Sequence, residues 1–168
     1  MILADDIARA LSLEPHPEGG FFRETFRSNE LVATPTGPRP AATGILFLVT
    51  AARPSRFHRL RSDELWLHHA GAPLELVALL PDGSSERVVL SGADALVENE
   101  GISPQAIVPR DAWQAARVLA EQGGSEEAWT LVSCVVTPGF DYADFELGDR
   151  GELSAAYPLH AELVRELT

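Results

Sequence analysis

Apolar and polar positions divide the chain into two helical ends and a long middle of short strands. Ile2, Leu3, Ile7, Ala10 and Leu11 recur at helical spacing and predict a helix over residues 2–13. Asp5 and Asp6 lie near its positive end. Pro15 stops it, because the residue before a proline avoids helical conformations. From Phe21 the period changes to two. Phe22, Glu24 and Phe26 fall on one face, and Phe21, Arg23 and Thr25 on the other. Alternation alone does not say which face is inward, so Arg23 and Glu24 are both candidate pocket residues. Residues 29–43 contain Pro35, Gly37, Pro38 and Pro40 and are expected to be a long loop. The run GILFLVTA reads as a buried strand.

Residues 55–71 read as a hairpin. Residues 74–90 read as two strands joined by the turn sequence Pro81-Asp82-Gly83-Ser84. A turn-rich segment, 91–104, follows. QAIVP begins a strand that breaks at Pro109-Arg110-Asp111, and AWQAARVLAE then fits a strand or a helix equally. Residues 121–127 are expected to be a polar loop, AWTLVSCVVTPGF an apolar strand and DYADFEL a short one. The tail 154–168 reads as helical, with Pro158 near its start. A helix, many short strands with Gly/Pro turns, and a helix predict a mainly β sandwich or barrel rather than alternating strand–helix units.

Length narrows this to a single domain, 1–168, with its core at about 15–147 and chain enough for a full hydrophobic interior. Thirteen basic against 25 acidic residues leave a net charge of −12. That excludes a nucleic-acid binder, which needs a basic footprint, and an anionic membrane surface as partner. No apolar run has the length of a membrane span. The acidic start lacks the basic region of a signal peptide. Cys134 is the sole cysteine, so an intrachain disulfide is ruled out and a reducing compartment, the cytoplasm, is expected. In its apolar run Cys134 reads as a packing residue.

Chemistry concentrates in Ser55–Gly71, SRFHRLRSDELWLHHAG. As a hairpin, its arms are 57–60 and 64–69. On the second arm Glu64, Trp66 and His68 share a face, with His58 opposite. A His and a Glu in a partly dry cavity exchange protons near neutral pH, because burial and mutual charge tune both groups. The same pair suits a metal ion. These alternatives are open from the residues alone.

The spacing His58-x-Leu60-x-x-x-Glu64, followed by Gly71, resembles the first motif of the cupin superfamily. Pro109-Arg110-Asp111-Ala112-Trp113-Gln114 resembles the second, with Asp111 in place of its Gly and Gln114 in place of its His. HPEGGFFRETFRS, FHRLRSDELW, HAGAPLEL, PDG, VPRDAWQAAR and VTPGFDYADFEL resemble the cupin-5 family in order, from about Leu11 to Leu147. The resemblance implies a double-stranded β-helix, or jelly roll, usually a homodimer, with a pocket inside the barrel. A dimer would also hide sheet edges. A metal-binding cupin supplies three His and one Glu. With Leu60 and Gln114 in two of those places, no cofactor is expected. A divalent metal, if bound, would be held labilely by His58 and Glu64.

The family is similar in fold to the metal-free deoxysugar-nucleotide 3,5-epimerases, which use a His base and a Tyr acid. This similarity implies an isomerase or epimerase of a sugar-like or carbonyl compound. His58 would carry the proton, with Glu64 its neighbour and Tyr142 the acid. Arg23 or Gln114 would be a donor to the enolate oxygen, Asp144 would orient an imidazole, and Glu24, Trp66 and His68 would contact the ligand. The alternatives are a non-catalytic binder or sensor, and a metal-dependent enzyme.

Overall fold

The computed structural model describes residues 2–98, 101–119 and 127–168. After helix α1 (Ala4–Ala10) come strands β1 (Glu14–Pro15), β2 (Phe21–Arg27), β3 (Leu31–Thr34), β4 (Gly37–Pro40), β5 (Thr43–Thr50), β6 (Ser55–Leu60), β7 (Asp63–Gly71), β8 (Leu74–Leu79) and β9 (Ser85–Leu90). Helix α2 (Ala93–Glu98) leads to β10 (Ile102–Ser103), β11 (Gln105–Val108), β12 (Trp113–Val118), β13 (Trp129–Thr137) and, after a 3₁₀ turn at Tyr142–Asp144, β14 (Phe145–Leu147). Helices α3 (Arg150–Ala156) and α4 (Ala161–Glu166) close the described chain.

Two six-stranded sheets face each other, in the orders β1-β2-β5-β13-β7-β11 and β10-β9-β8-β12-β6-β14. All pairings in them are antiparallel except β9 with β10. The fold is mainly β, as predicted, with the jelly-roll layering of a cupin barrel.

Strict alternation builds the interior. Along β13, Thr130, Val132, Cys134 and Val136 are buried, while Leu131, Ser133 and Val135 are half-buried on the outer face. Val132 and Cys134 meet Phe47, Trp66, Leu76 and Ala116 between the sheets. The second sheet is apolar on both faces. Its outer residues Phe57, Val77, Leu79, Trp113 and Ala115 are covered by Leu153, Leu163, Val164 and Leu167 of the C-terminal helices. That double burial explains why WQAARV fitted either element. It is strand β12, central in its sheet.

Three expectations are corrected. Residues 55–71 do not form a hairpin, because β6 and β7 belong to opposite sheets and the two residues between them carry the chain across the barrel. The expected loop at 29–43 contains the antiparallel hairpin β3–β4, whose pairs include Leu31 with Pro40 and Thr34 with Gly37. Prolines are tolerated there because the hairpin is a separate two-stranded ribbon with free edges. The C-terminal helical segment begins at Arg150 rather than Ser154, capped by the Asp149 carboxylate accepting from Glu152 N–H. The polar loop expected at 121–127 lies, up to residue 126, outside the described residues. Among the described residues no helix is long and apolar enough to cross a membrane.

Candidate active site

A cavity of about 250 Å³ opens at one end of the barrel between the two sheets. Its wall includes Phe22, Ile45, Phe47, His58, Leu60, Glu64, Cys134 and Val136 from strands of both sheets. The crossing from β6 to β7 places His58 in one sheet and Glu64 in the other. His58 and Leu60 point inward from β6 while Phe57 points out to the helices.

His16 and Glu18 complete the floor, and sequence reasoning assigned neither of them. They sit in His16-Pro17-Glu18-Gly19-Gly20, a turn closed by His16 N–H donating to Gly20 O and Gly19 N–H donating to His16 O. Gly19 (φ 128°) and Gly20 (φ 58°) have positive φ. A Cβ on Gly19 would collide with Pro54 O, and one on Gly20 would crowd Leu48 O and the Phe47 ring. Arg56 fastens the turn to β6, its backbone N–H and Nε donating to Glu18 O and its Nη2 to Pro17 O. The double glycine beside a His and a Glu was the available signal. It marked a close backbone approach without saying what was approached.

Glu18 is the hub. Its Oε1 accepts from Ser55 Oγ at 2.7 Å. Its Oε2 lies 3.3 Å from His16 Nδ1 and 3.3 Å from His58 Nε2. Tautomers follow from the other partners. His58 Nδ1 lies 2.9 Å from Arg56 O, a pure acceptor, so Nδ1 carries a proton. His16 Nδ1 accepts from Glu18 N–H, so it is a lone pair. With both histidines neutral, two lone pairs face Glu18 Oε2. A proton on the Glu18 carboxyl or on the His58 imidazole relieves that repulsion. Burial pushes Glu18 up to about 8 and holds His58 below its ordinary value, which favours the carboxyl. Burial and the neighbouring His58 take His16 down to about 4. Phe22, Phe47 and Phe145 hold the His16 ring edge-on, and Phe145 stacks on His58 at 5.6 Å.

Glu64 faces this hub from the other sheet. Trp66 Nε1–H, which can only donate, bonds Gln114 Oε1 at 3.0 Å. That fixes the amide, and Gln114 Nε2 therefore donates to Glu64 Oε2. Burial raises Glu64 to about 7, against the lowering effect of His58. The buried Cys134 thiol hydrogen-bonds Glu64 and is itself pushed well up by burial.

The donor set does not fit the metal of metal-binding cupins. Gln114 presents its NH₂ to the site, Leu60 has no donor, and the His16 Nδ1 lone pair is already engaged. Among the described residues no group of three or more His, Cys, Asp or Glu side chains is arranged to hold a metal ion.

At the mouth, Glu24 and Arg27 both face the cavity because the strand register slips between Glu24 and Phe26, restarting the alternation. Tyr142, 55% exposed, lines the rim beside Phe140. The remaining expected residues fall elsewhere. Arg23 is exposed and outside the wall, because β2 turns the Phe22 and Glu24 face inward. Trp66 lies in the core behind the cavity, where it orients Gln114. His68 stands further along β7, half-buried, with Nε2 donating to Ala72 O. Asp144 orients no imidazole. It is held by Arg39 Nε and Nη2 and by Thr36 Oγ1 from the β3–β4 hairpin. The Arg39 guanidinium holds its carboxyl below the usual range. Asp111, where the cupin motif has Gly, adopts the left-handed φ of 65° that the Gly would supply.

Similarity to known proteins agrees with this architecture. The family model described as "Cupin superfamily (DUF985)", cupin-5, matches residues 5–148. A hypothetical protein from Leishmania major is 37% identical, with a TM-score of 0.89 and coverage of 99% of each chain. A protein from Shewanella oneidensis is 36% identical, with a TM-score of 0.85, covering 100% of this chain and 98% of that one. Oxalate decarboxylase from Bacillus subtilis shares the fold alone, at 13% identity and TM-score 0.54, with 93% of this chain spanning 37% of that one. No curated protein matches the chain. With two motifs, a jelly-roll layering and a family match over most of its length, the chain belongs to the cupin-5 family (DUF985) of the cupin superfamily.

Proposed function

We propose that the protein is an isomerase or epimerase of a small carbonyl or sugar-like compound, acting by proton transfer inside the barrel without a cofactor. One observation carries this reading: Glu18 lies 3.3 Å from His58 on one side of the cavity, while Glu64, raised to about 7 by burial, faces them from the other. A general base works best with a pKa near the operating pH. Glu64 takes the proton from the carbon next to the carbonyl. The Glu18–His58 pair delivers its proton to the developing enolate oxygen. In an isomerisation Glu64 gives its proton to the neighbouring carbon while the Glu18–His58 pair regains one from the hydroxyl that becomes the new carbonyl. In an epimerisation the pair regains its proton as the same carbonyl re-forms, Tyr142 protonates the opposite face of the carbon, and Glu64 and Tyr142 reset through solvent. No oxidant or reductant is needed. In the isomerisation Tyr142, at the rim, donates to a substrate oxygen instead.

Solvent exchange tests this without a known product. Sugars and hydroxyketones incubated with protein in D₂O should lose α-proton signals in NMR spectra faster than spontaneously. Glu64→Gln should abolish the effect, and His58→Ala should lower it at least tenfold. A ligand extracted from cells with the protein, and recovered without deuterium, would replace this reading with non-catalytic binding.

The same reading includes a homodimer in a reducing compartment such as the cytoplasm. Edge strand β11 carries Ile107, 64% exposed, and a partner strand would cover it. Light scattering at micromolar concentration should give twice the chain mass.

A further inference from the structure

Charge on the cavity wall is lopsided. Glu18, Glu24, Glu64 and Asp141 contribute carboxyl groups, and Arg27 is the one guanidinium among the lining residues. Arg27 is already engaged. Its Nε and Nη2 donate to the two oxygens of Glu24 at 2.9 and 2.7 Å, and its Nη1 reaches Phe140 O at 3.5 Å. The imidazoles of His16 and His58 face Glu18.

We propose that the cavity selects a small uncharged hydroxycarbonyl compound and excludes carboxylates and phosphate esters, because its one guanidinium is bound by Glu24 and no free cationic group among the lining residues balances an anion's charge. The inference rests on the small-molecule reading above and names its substrate class. An entering anion would leave water for a wall with no free cation, and an unpaired charge in such a site is strongly disfavoured. A cation fares little better. The Glu18 oxygens are engaged by Ser55 and face two imidazoles, and Glu64 holds Gln114 and Cys134. An ammonium group at the floor would have to displace these, and at the rim it would compete with Arg27 for Glu24 and with Ala143 N–H for Asp141.

An uncharged ligand meets no such obstacle. The protonated floor donates to its oxygens, while Phe22, Ile45, Phe47 and Phe140 take its hydrocarbon face. The volume of about 250 Å³ holds roughly eight water-sized groups at about 30 Å³ each. It lies under the range of about 300–1,000 Å³ for drug-sized ligands. A sugar's pentose skeleton fits, and a nucleotide carrier does not.

Ligands matched in skeleton test this at pH 7. The uncharged members are 1-hydroxypentan-2-one and xylulose. The anions are 2-oxopentanoate and xylulose 5-phosphate, and the cation is 1-aminopentan-2-ol. Binding is followed through the Trp66 indole N–H signal of ¹⁵N-labelled protein, which reports on the Gln114–Glu64 floor. Each uncharged compound should bind at least tenfold more tightly than its anionic counterpart. Glu24→Gln, which frees Arg27, should narrow that ratio at least threefold. An anion or the cation binding as tightly as the uncharged member overturns the proposal. So does a ratio unchanged in Glu24→Gln, or no binding by either uncharged compound at about 50 mM. Because the readout is binding, an intact charge preference without catalysed proton exchange would fail the proton-transfer reading alone.

Discussion

His58 Nε2 stands 3.3 Å from Glu18 Oε2, and the far nitrogen of the same ring is tied to Arg56 O at 2.9 Å. Glu64 faces this contact from the opposite sheet. Four buried acid–base groups, Glu18, Glu64, His16 and His58, make the folded protein's proton inventory unlike that of the unfolded chain.

Stability should therefore fall as pH rises above neutrality. Glu18 and Glu64 are raised from an ordinary 4.5 to about 8 and about 7. Their contribution is full below pH 4.5 and is lost as pH rises through those folded values. His16, lowered from 6.5 to about 4, and His58, lowered in the same direction, act oppositely: their contribution is present above pH 6.5 and lost on acidification. Between 4.5 and 6.5 the two pairs oppose each other. Above 6.5, where the unfolded histidines are already half titrated, the opposition fades and the carboxyls dominate. The thermal midpoint, measured by calorimetry at constant ionic strength, should decline from pH 6.5 to 8.5. Glu18→Gln should flatten that decline, because a neutral amide replaces the neutral acid. A midpoint rising over this range would contradict the assignment.

Gly19→Ala should cost at least about 2 kcal/mol in urea unfolding. A methyl at φ 128° adds backbone strain of about 1–3 kcal/mol, and it also meets Pro54 O. Gly83→Ala is the matched control. It too has positive φ, at 88°, but nothing lies within 4 Å of the added carbon. It should lose only about 1 kcal/mol. Equal losses would mean that the HPEGG turn is not seated on Pro54.

Gln114→Leu should destabilise by about 1–3 kcal/mol for each buried group left without a partner. The Trp66 indole N–H is left so, while the Glu64 carboxyl loses the Gln114 donor and keeps Cys134. Trp66→Phe added to Gln114→Leu should recover part of the loss, because the stranded indole donor is then removed. If the double variant is as unstable as the sum of both singles, the indole–amide bond is not formed. Urea unfolding of the four proteins measures the coupling.

The sequence by itself determined the class of fold and half of the floor. Period-two alternation in β13, and in β2 only as far as the register slip after Glu24, the Pro-Asp-Gly-Ser turn between β8 and β9, and helical spacing at the start are local properties, legible one segment at a time. His58 and Glu64 were legible through their spacing. Only the tertiary structure decided the partners. Residues 61 and 62 carry the chain between sheets instead of turning a hairpin, which no local propensity distinguishes. His16 and Glu18 reach His58 across some forty positions of chain, because two glycines and Arg56 press their turn onto β6. Asp144, two residues from a cavity-lining tyrosine, is captured by Arg39 from the β3–β4 hairpin, and Arg23 points away from the cavity because Phe22 and Glu24 take the other face of β2. Alternation fixes which residues share a face. Which face is buried, and which distant side chain it meets, depends on how the sheets close.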